Sequence, residues 1–235
     1  MYYAIGDVHG CINALKDILY QIDKDIEQSP YSLPHNIVFL GDYIDRGEHS
    51  KDVMDLLCQL KDNDKKKHLF LRGNHEQMLL NSLDEIDSTL NEQTWFFNGG
   101  FQTVQSYGQD YYALYEIRQL KDFQRHIQFI RETKFYHRVG DLLFVHAGID
   151  PHKAFGDQGP DDFLWIRESF IEHKRGFRGL KIIHGHTPHE NYPKFEFDRL
   201  NLDTAAVFGN KLSCGLLTES GDLVKVLQSK GDDYV

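Results

Sequence analysis

The sequence of 235 residues is short of cysteine, with only Cys11, Cys58 and Cys214. An odd count and the lack of any C-x-x-C argue against a disulfide framework and a thiolate zinc site, and point to a reducing cytoplasm. No apolar run approaches the ~18–20 residues that span a bilayer, so no membrane partner is expected. The start MYYAIGDVHG lacks the charged-then-apolar layout of a secretory signal. Positive charge is also scarce, with 26 Lys+Arg against 36 Asp+Glu and a net charge of −10. Without a basic stripe to neutralise phosphates, the chain is not expected to bind nucleic acid. The short run Lys65-Lys66-Lys67 has acidic neighbours, Asp62 and Asp64, just before it and reads as a solvated loop. Repeats, low-complexity segments and linkers are absent too, so residues 1–235 are expected to form one domain. What stands out is histidine, 13 residues of it.

Short apolar runs alternate with helical stretches. Tyr2–Ile5, Ile37–Leu40, Leu69–Leu71, Leu142–Val145 and Lys181–Ile183 read as buried strands. Leu15, Ile18, Leu19, Ile22 and Ile26 recur at helical spacing between the first two. A second helix carries Val53, Met54, Leu57 and Leu60 inward, with Ser50 as its expected N-cap. A third follows Asn74, and a fourth holds Leu120, Phe123, Ile127 and Ile130. This alternation predicts an α/β protein with parallel pairings at its centre. Gly140-Asp141 predicts a hairpin turn, and Arg199–Asp203, Lys211–Leu217 and Leu223–Leu227 are expected to add an antiparallel set. Residues 91–138 read as a helical insertion or cap beside the site; its first half, to Tyr115, is rich in aromatics, including Trp95, Phe96, Phe97, Phe101, Tyr107, Tyr111 and Tyr112.

Each of the five runs stops at a polar signature. These are Gly6-Asp7-Val8-His9-Gly10, Gly41-Asp42-Tyr43-Ile44-Asp45-Arg46-Gly47, Arg72-Gly73-Asn74-His75-Glu76, His146-Ala147-Gly148 and His184-Gly185-His186-Thr187. Ligands of open α/β sheets bind beyond the carboxyl ends of the strands. The strands therefore deliver Asp, His and Asn side chains, with no thiolate, to one edge. Such oxygen and imidazole donors suit Mn²⁺, Fe or Zn²⁺ in a two-metal site better than a structural zinc. Any one of these motifs alone is ordinary turn chemistry; their joint occurrence is what points to a site.

The series GDVHG, GDYIDRG, GNHE, VHAG and GHT, followed by Leu202-Asp203-Thr204, resembles the metallophosphoesterases along nearly the whole chain. Within them it is most similar to the phosphoprotein phosphatase family of bacterial and lambda-phage-type Ser/Thr protein phosphatases. The resemblance implies the calcineurin-like fold, a four-layer αββα sandwich of two mixed β-sheets with the metals at one edge. It implies two divalent ions, Mn²⁺ foremost, with Asp7 and His9 on the first, Asp42 bridging, and Asn74, His146 and His186 on the second. His75 would be the general acid and Asp45 the carboxylate that orients it. Arg46 and Arg167 would bind phosphate oxygens. His184 is left as an imidazole behind the ligands. Pro188 and His189 are not ligands, and Ala205 replaces the family's usual glycine.

The activity so implied is metal-dependent hydrolysis of phosphoserine or phosphothreonine and other phosphomonoesters. The alternative is a symmetrical dinucleoside tetraphosphatase, whose second motif typically reads GDLVNRG and lacks a carboxylate at the position of Asp45. A scaffold that keeps the fold without catalysis is set aside because every expected ligand is present.

Overall fold

The computed structural model describes residues 1–29, 34–63, 67–84, 88–110, 114–196 and 198–230. The expectations for Lys65, Lys66, Tyr111 and Tyr112 lie outside these. Two five-stranded mixed sheets organise the chain. The first contains β1 (Tyr2–Ile5), β2 (Asn36–Phe39), β3 (Lys67–Phe70), β9 (Ser213–Leu217) and β10 (Leu223–Gln228), in the order β10-β9-β1-β2-β3. The second contains β4 (Tyr136–Val139), β5 (Leu142–Val145), β6 (Lys181–His184), β7 (Lys194–Glu196) and β8 (Arg199–Asn201), in the order β4-β5-β6-β8-β7. Pairs β1–β2, β2–β3, β5–β6 and β6–β8 are parallel, and β1–β9, β9–β10, β4–β5 and β7–β8 are antiparallel.

The period of two along the strands builds the layers. Tyr2 and Ala4 face Phe144, Ile183 and Leu200 in an apolar layer between the sheets. Tyr3 and Ile5 face the other way, into a layer shared with Leu15, Ile18, Ile22, Val53, Met54 and Leu57. Those residues belong to α1 (Ile12–Gln28) and α2 (Ser50–Asp62). On the far side Leu143, Val145 and Ile182 meet Phe163 and Phe170, from α8 (Pro160–Trp165) and α9 (Glu168–Ile171). Helix, sheet, sheet and helix thus stack with an apolar layer in each gap. Truncating a fully buried side chain here, such as Phe144, costs about 3–5 kcal/mol.

The interval 91–138 carries helix only as far as Arg131. It begins within α4 (Ser88–Trp95), which follows α3 (Asn74–Asp84), and passes through a π turn, Phe96–Gly100. It continues through α5 (Phe101–Ser106), α6 (Leu114–Ile117) and α7 (Lys121–Arg131), and β4 then joins the second sheet. Trp95, Phe96, Tyr107 and Phe123 fill the same apolar layer as α1 and α2.

Three local expectations change. Arg199–Asn201 does not join the antiparallel set of β9 and β10; it runs parallel to β6 and pairs antiparallel with β7. Strand β7 has no sequence signal, because Lys-Phe-Glu at a sheet edge leaves Phe195 exposed. Ser50 is not the N-cap of α2, a position held by His49. Its buried hydroxyl instead accepts the Asp45 N–H at 3.0 Å.

Candidate active site

Asp7, His9, Asp42, Asn74, His75, His146 and His186 converge beyond the carboxyl ends of β1, β2, β3, β5 and β6, all buried. Parallel pairing aligns the ends of β1, β2 and β3 in the first sheet and those of β5 and β6 in the second, and the packing of the two sheets brings the five motifs together. Donor atoms of His9, Asp42 and His75 lie within 4.8 Å of one another, and so do those of Asp42, His146 and His186. Asn74 Oδ1 is 2.9 Å from both His146 Nε2 and His186 Nδ1. Asp7 accepts the His186 N–H at 3.0 Å. A Cβ at Gly185 would fall 2.0 Å from Asp7 Oδ1, so that approach needs glycine.

Tautomers show what the cluster is built for. The Nδ1 of His146 contacts the Leu40 carbonyl at 2.9 Å, and a carbonyl only accepts, so Nδ1 carries the proton. Its bare Nε2 then faces Asn74 Oδ1 at 2.9 Å and Asp42 Oδ1 at 3.4 Å. His9 repeats the pattern: Nδ1 donates to the Ile44 carbonyl at 2.8 Å, and Nε2 faces Asp42 Oδ2 at 3.3 Å. Lone pairs pointed at lone pairs in a buried site suit divalent cations, with Asp42 offering one oxygen to each histidine. The residues present therefore fit two metal ions.

The charges agree. Burial, Asp203 and Asp42 push the Asp7 carboxyl well above its ordinary range. Burial works against the Asp42 charge too, yet His146, His75 and His9 hold its carboxyl well below the usual value. Burial pushes His186 down to about 2 and His184 down to about 3, so both are neutral. His184 stands outside both groups of donors; its ring packs edge-on to Phe170 at 5.0 Å.

His75 Nδ1 donates to Asp45 Oδ2 at 2.8 Å. Asp45 also accepts Trp95 Nε1–H at 2.9 Å and the Thr103 hydroxyl at 2.6 Å, which holds it in one orientation. The Nε2 of His75 is left facing the cluster, 4.0 Å from Asp42 Oδ2. Arg46 Nη1 lies 3.0 Å from His9 Nε2. Arg167, across the site, donates from Nε to His186 Nε2 at 3.0 Å. Both expected phosphate arginines thus border the donors.

Some supporting residues have no role in the sequence reading. Glu76 takes four backbone N–H groups on one carboxylate, those of Asp42, Tyr43, Ile44 and Gly73, at 2.8–3.3 Å. Burial and Asp42 push its carboxyl up to about 7 against the pull of those donors. Four donors and no acceptor for an acid proton make the anion the form that fits. Its place at the end of GNHE was the available signal. Trp95 sits in the aromatic stretch and Thr103 has no local signature. Among the described residues, five of the eight non-glycine positions with positive φ are His9, Asp42, Asp45, Arg46 and His186. Strain of this kind concentrates at sites that the surrounding fold over-determines. Ala205 is a sixth, at φ 59°, which is why a glycine suits that position.

The family pattern of the calcineurin-like phosphoesterases matches residues 2–223. The chain belongs to this family. It is 30% identical to the asymmetrical bis(5'-nucleosyl)-tetraphosphatase PrpE of Oceanobacillus iheyensis, over 89% of this chain and 85% of that one. It is 29% identical to the serine/threonine-protein phosphatase 1 of Salmonella typhimurium, over 90% of this chain and 89% of that one. A metallophosphoesterase structure from Sphaerobacter thermophilus superposes with a TM-score of 0.56 at 15% identity, covering 98% of this chain and 89% of that one, and shows the shared fold. The chain is a hydrolase of the phosphoesterase family with two mixed sheets, as the motif resemblance implied. The narrower Ser/Thr phosphatase assignment is carried by one of these two relatives, and the other is a tetraphosphatase of the asymmetrical rather than the symmetrical type. Among the described residues no helix is long and apolar enough to cross a membrane.

Proposed function

We infer that this phosphoesterase cleaves dinucleoside polyphosphates, in the asymmetrical manner of its PrpE relative, with His75 as proton donor. The observation that carries the catalytic part is the His75–Asp45 pair at 2.8 Å, aimed at a cluster of metal-type donors. Two divalent cations, Mn²⁺ first with Fe or Zn²⁺ as alternatives, held by Asp7, His9, Asp42, Asn74, His146 and His186, would supply an activated water and neutralise phosphoryl charge. Arg46 and Arg167 fork onto the phosphoryl oxygens from opposite sides and fix the group for in-line attack. His75 Nε2 delivers a proton to the departing oxygen, while Asp45 holds the ring and its charge. Relatedness favours the dinucleotide reading, and Asp45, which disfavours the symmetrical enzymes, does not disfavour this one.

Hydrolysis of phosphoserine or phosphothreonine is the second reading, and His75 itself favours it. A departing alkoxide needs a proton far more than a departing nucleotide phosphate does. Initial rates with Mn²⁺ on diadenosine tetraphosphate and on phosphopeptides separate the two. AMP plus ATP as products, at higher kcat/KM than any phosphopeptide, is the expected result. ADP alone identifies the symmetrical reaction, and a phosphopeptide preference replaces the first reading with the second.

A further inference from the structure

Beside Arg46 lies an open cleft of about 470 Å³, lined by Arg46, Phe97, Asn98, Gln102 and Phe208 among others. Two of its walls are phenylalanines that folding does not need there: Phe97 is 93% exposed and Phe208 66%. Each is placed by a segment tied to the site. The π turn Phe96–Gly100 buries Phe96 against Trp95, 5.1 Å between ring centroids, and turns Phe97 outward. The same turn's Gly99 carbonyl accepts the Arg46 N–H at 3.1 Å, and a Cβ on Gly99 would lie 2.8 Å from Arg46 N. Phe208 ends the short helical turn that follows Asp203-Thr204 and left-handed Ala205. Exposed aromatic rings grouped on one face mark surfaces that take a partner.

The cleft also asks for a particular chemistry. Asn98 spends one amide N–H on the Thr94 carbonyl and keeps its oxygen. Arg46 joins the cleft to the metal-type cluster, with Nη1 3.0 Å from His9 Nε2 and its guanidinium 5.8 Å from the Phe208 ring. A flat, π-faced group with N–H donors on its edge, carried on a chain of phosphates, matches every one of these features.

We propose that this cleft seats a purine base of the nucleotide substrate, stacked on Phe208 and Phe97 and held at its amino edge by Asn98, while Arg46 takes the adjoining phosphates. The inference rests on the dinucleotide reading for its physiological ligand but is tested by binding alone. Calorimetry on the Mn²⁺-loaded protein compares α,β-methylene-ADP with methylenediphosphonate, which differ only by the nucleoside. The nucleoside should tighten binding roughly 5- to 150-fold, the span that base stacking on aromatic side chains carries. Phe208→Leu should erase most of that increment, Phe208→Trp should keep it, and Asn98→Leu should reduce it. An increment absent from the wild type, or unaltered by Phe208→Leu and Phe97→Leu, overturns the proposal. So does an equal loss for both ligands, which would mean that the substitution acts through Arg46. A retained nucleoside increment without cleavage of diadenosine tetraphosphate leaves the base site standing and removes the substrate reading instead.

Discussion

Replacing Glu76 with glutamine changes one oxygen to an amide nitrogen in a place where only acceptors fit. Oε2 serves the Asp42 and Gly73 N–H groups, and Oε1 serves those of Tyr43 and Ile44. Glutamine keeps one oxygen and turns its NH₂ on the other two donors. Two buried N–H groups are then orphaned at about 1–3 kcal/mol each, so the expected loss is roughly 2–6 kcal/mol. That is a large part of the ~5–15 kcal/mol available to a domain. For a chain of this length it corresponds to about 4–24 °C in Tm. Urea unfolding followed by circular dichroism at pH 7.5 in EDTA measures the loss free of metal linkage. The Asp42–Ile44 loop would also loosen, so Mn²⁺ affinity should fall in parallel. A Glu76→Gln protein within about 0.5 kcal/mol of wild type, the range of a surface change, would refute the argument that this carboxylate organises the loop.

Three further outcomes follow from the same geometry. His75→Asn should retain its metal content while kcat drops on the order of 10²–10⁴-fold; unchanged turnover would remove His75 from proton transfer. Removing the metals with EDTA should lower Tm, and Mn²⁺ at 100 times its Kd should return about 2.7 kcal/mol; a Tm indifferent to Mn²⁺ would deny the cluster its ions. His126 is buried between the Tyr107 hydroxyl and Asp55, and burial lowers its pKa. A base whose folded pKa lies below the unfolded value of about 6.5 costs stability as pH falls through that value, by up to ~1.4 kcal/mol per pH unit. Unfolding free energies at pH 7.5 and 5.5 should therefore fall less in His126→Gln than in wild type, and equal falls would count against a neutral His126.

The sandwich was legible because continuous apolar runs such as Tyr2–Ile5 can only be strands buried on both faces, and each ends in a motif whose place beyond the strand is dictated by parallel pairing. Strand β8 was readable as a strand but not in its partner, since pairing β6 rather than β9 depends on contacts between distant segments. Strand β7 was invisible, because three residues on an edge carry neither alternation nor burial. Ser50 was misread for a related reason: its hydroxyl is claimed by the Asp45 turn, not by the helix that begins at it. Trp95 and Thr103 were hidden as supports because their importance comes from Asp45, 50 and 58 residues away along the chain, which no local pattern records.

Asp7 accepts its hydrogen bond from His186, 179 residues later. A ribosome must therefore have released nearly four-fifths of this chain before the two halves of the cluster can meet. Nascent chains shorter than this lack His186 and so hold an incomplete set of the clustered donors. Metal uptake at the proposed cluster would then register that segments of both sheets have met, before the strands β7 to β10 that follow His186 are in place.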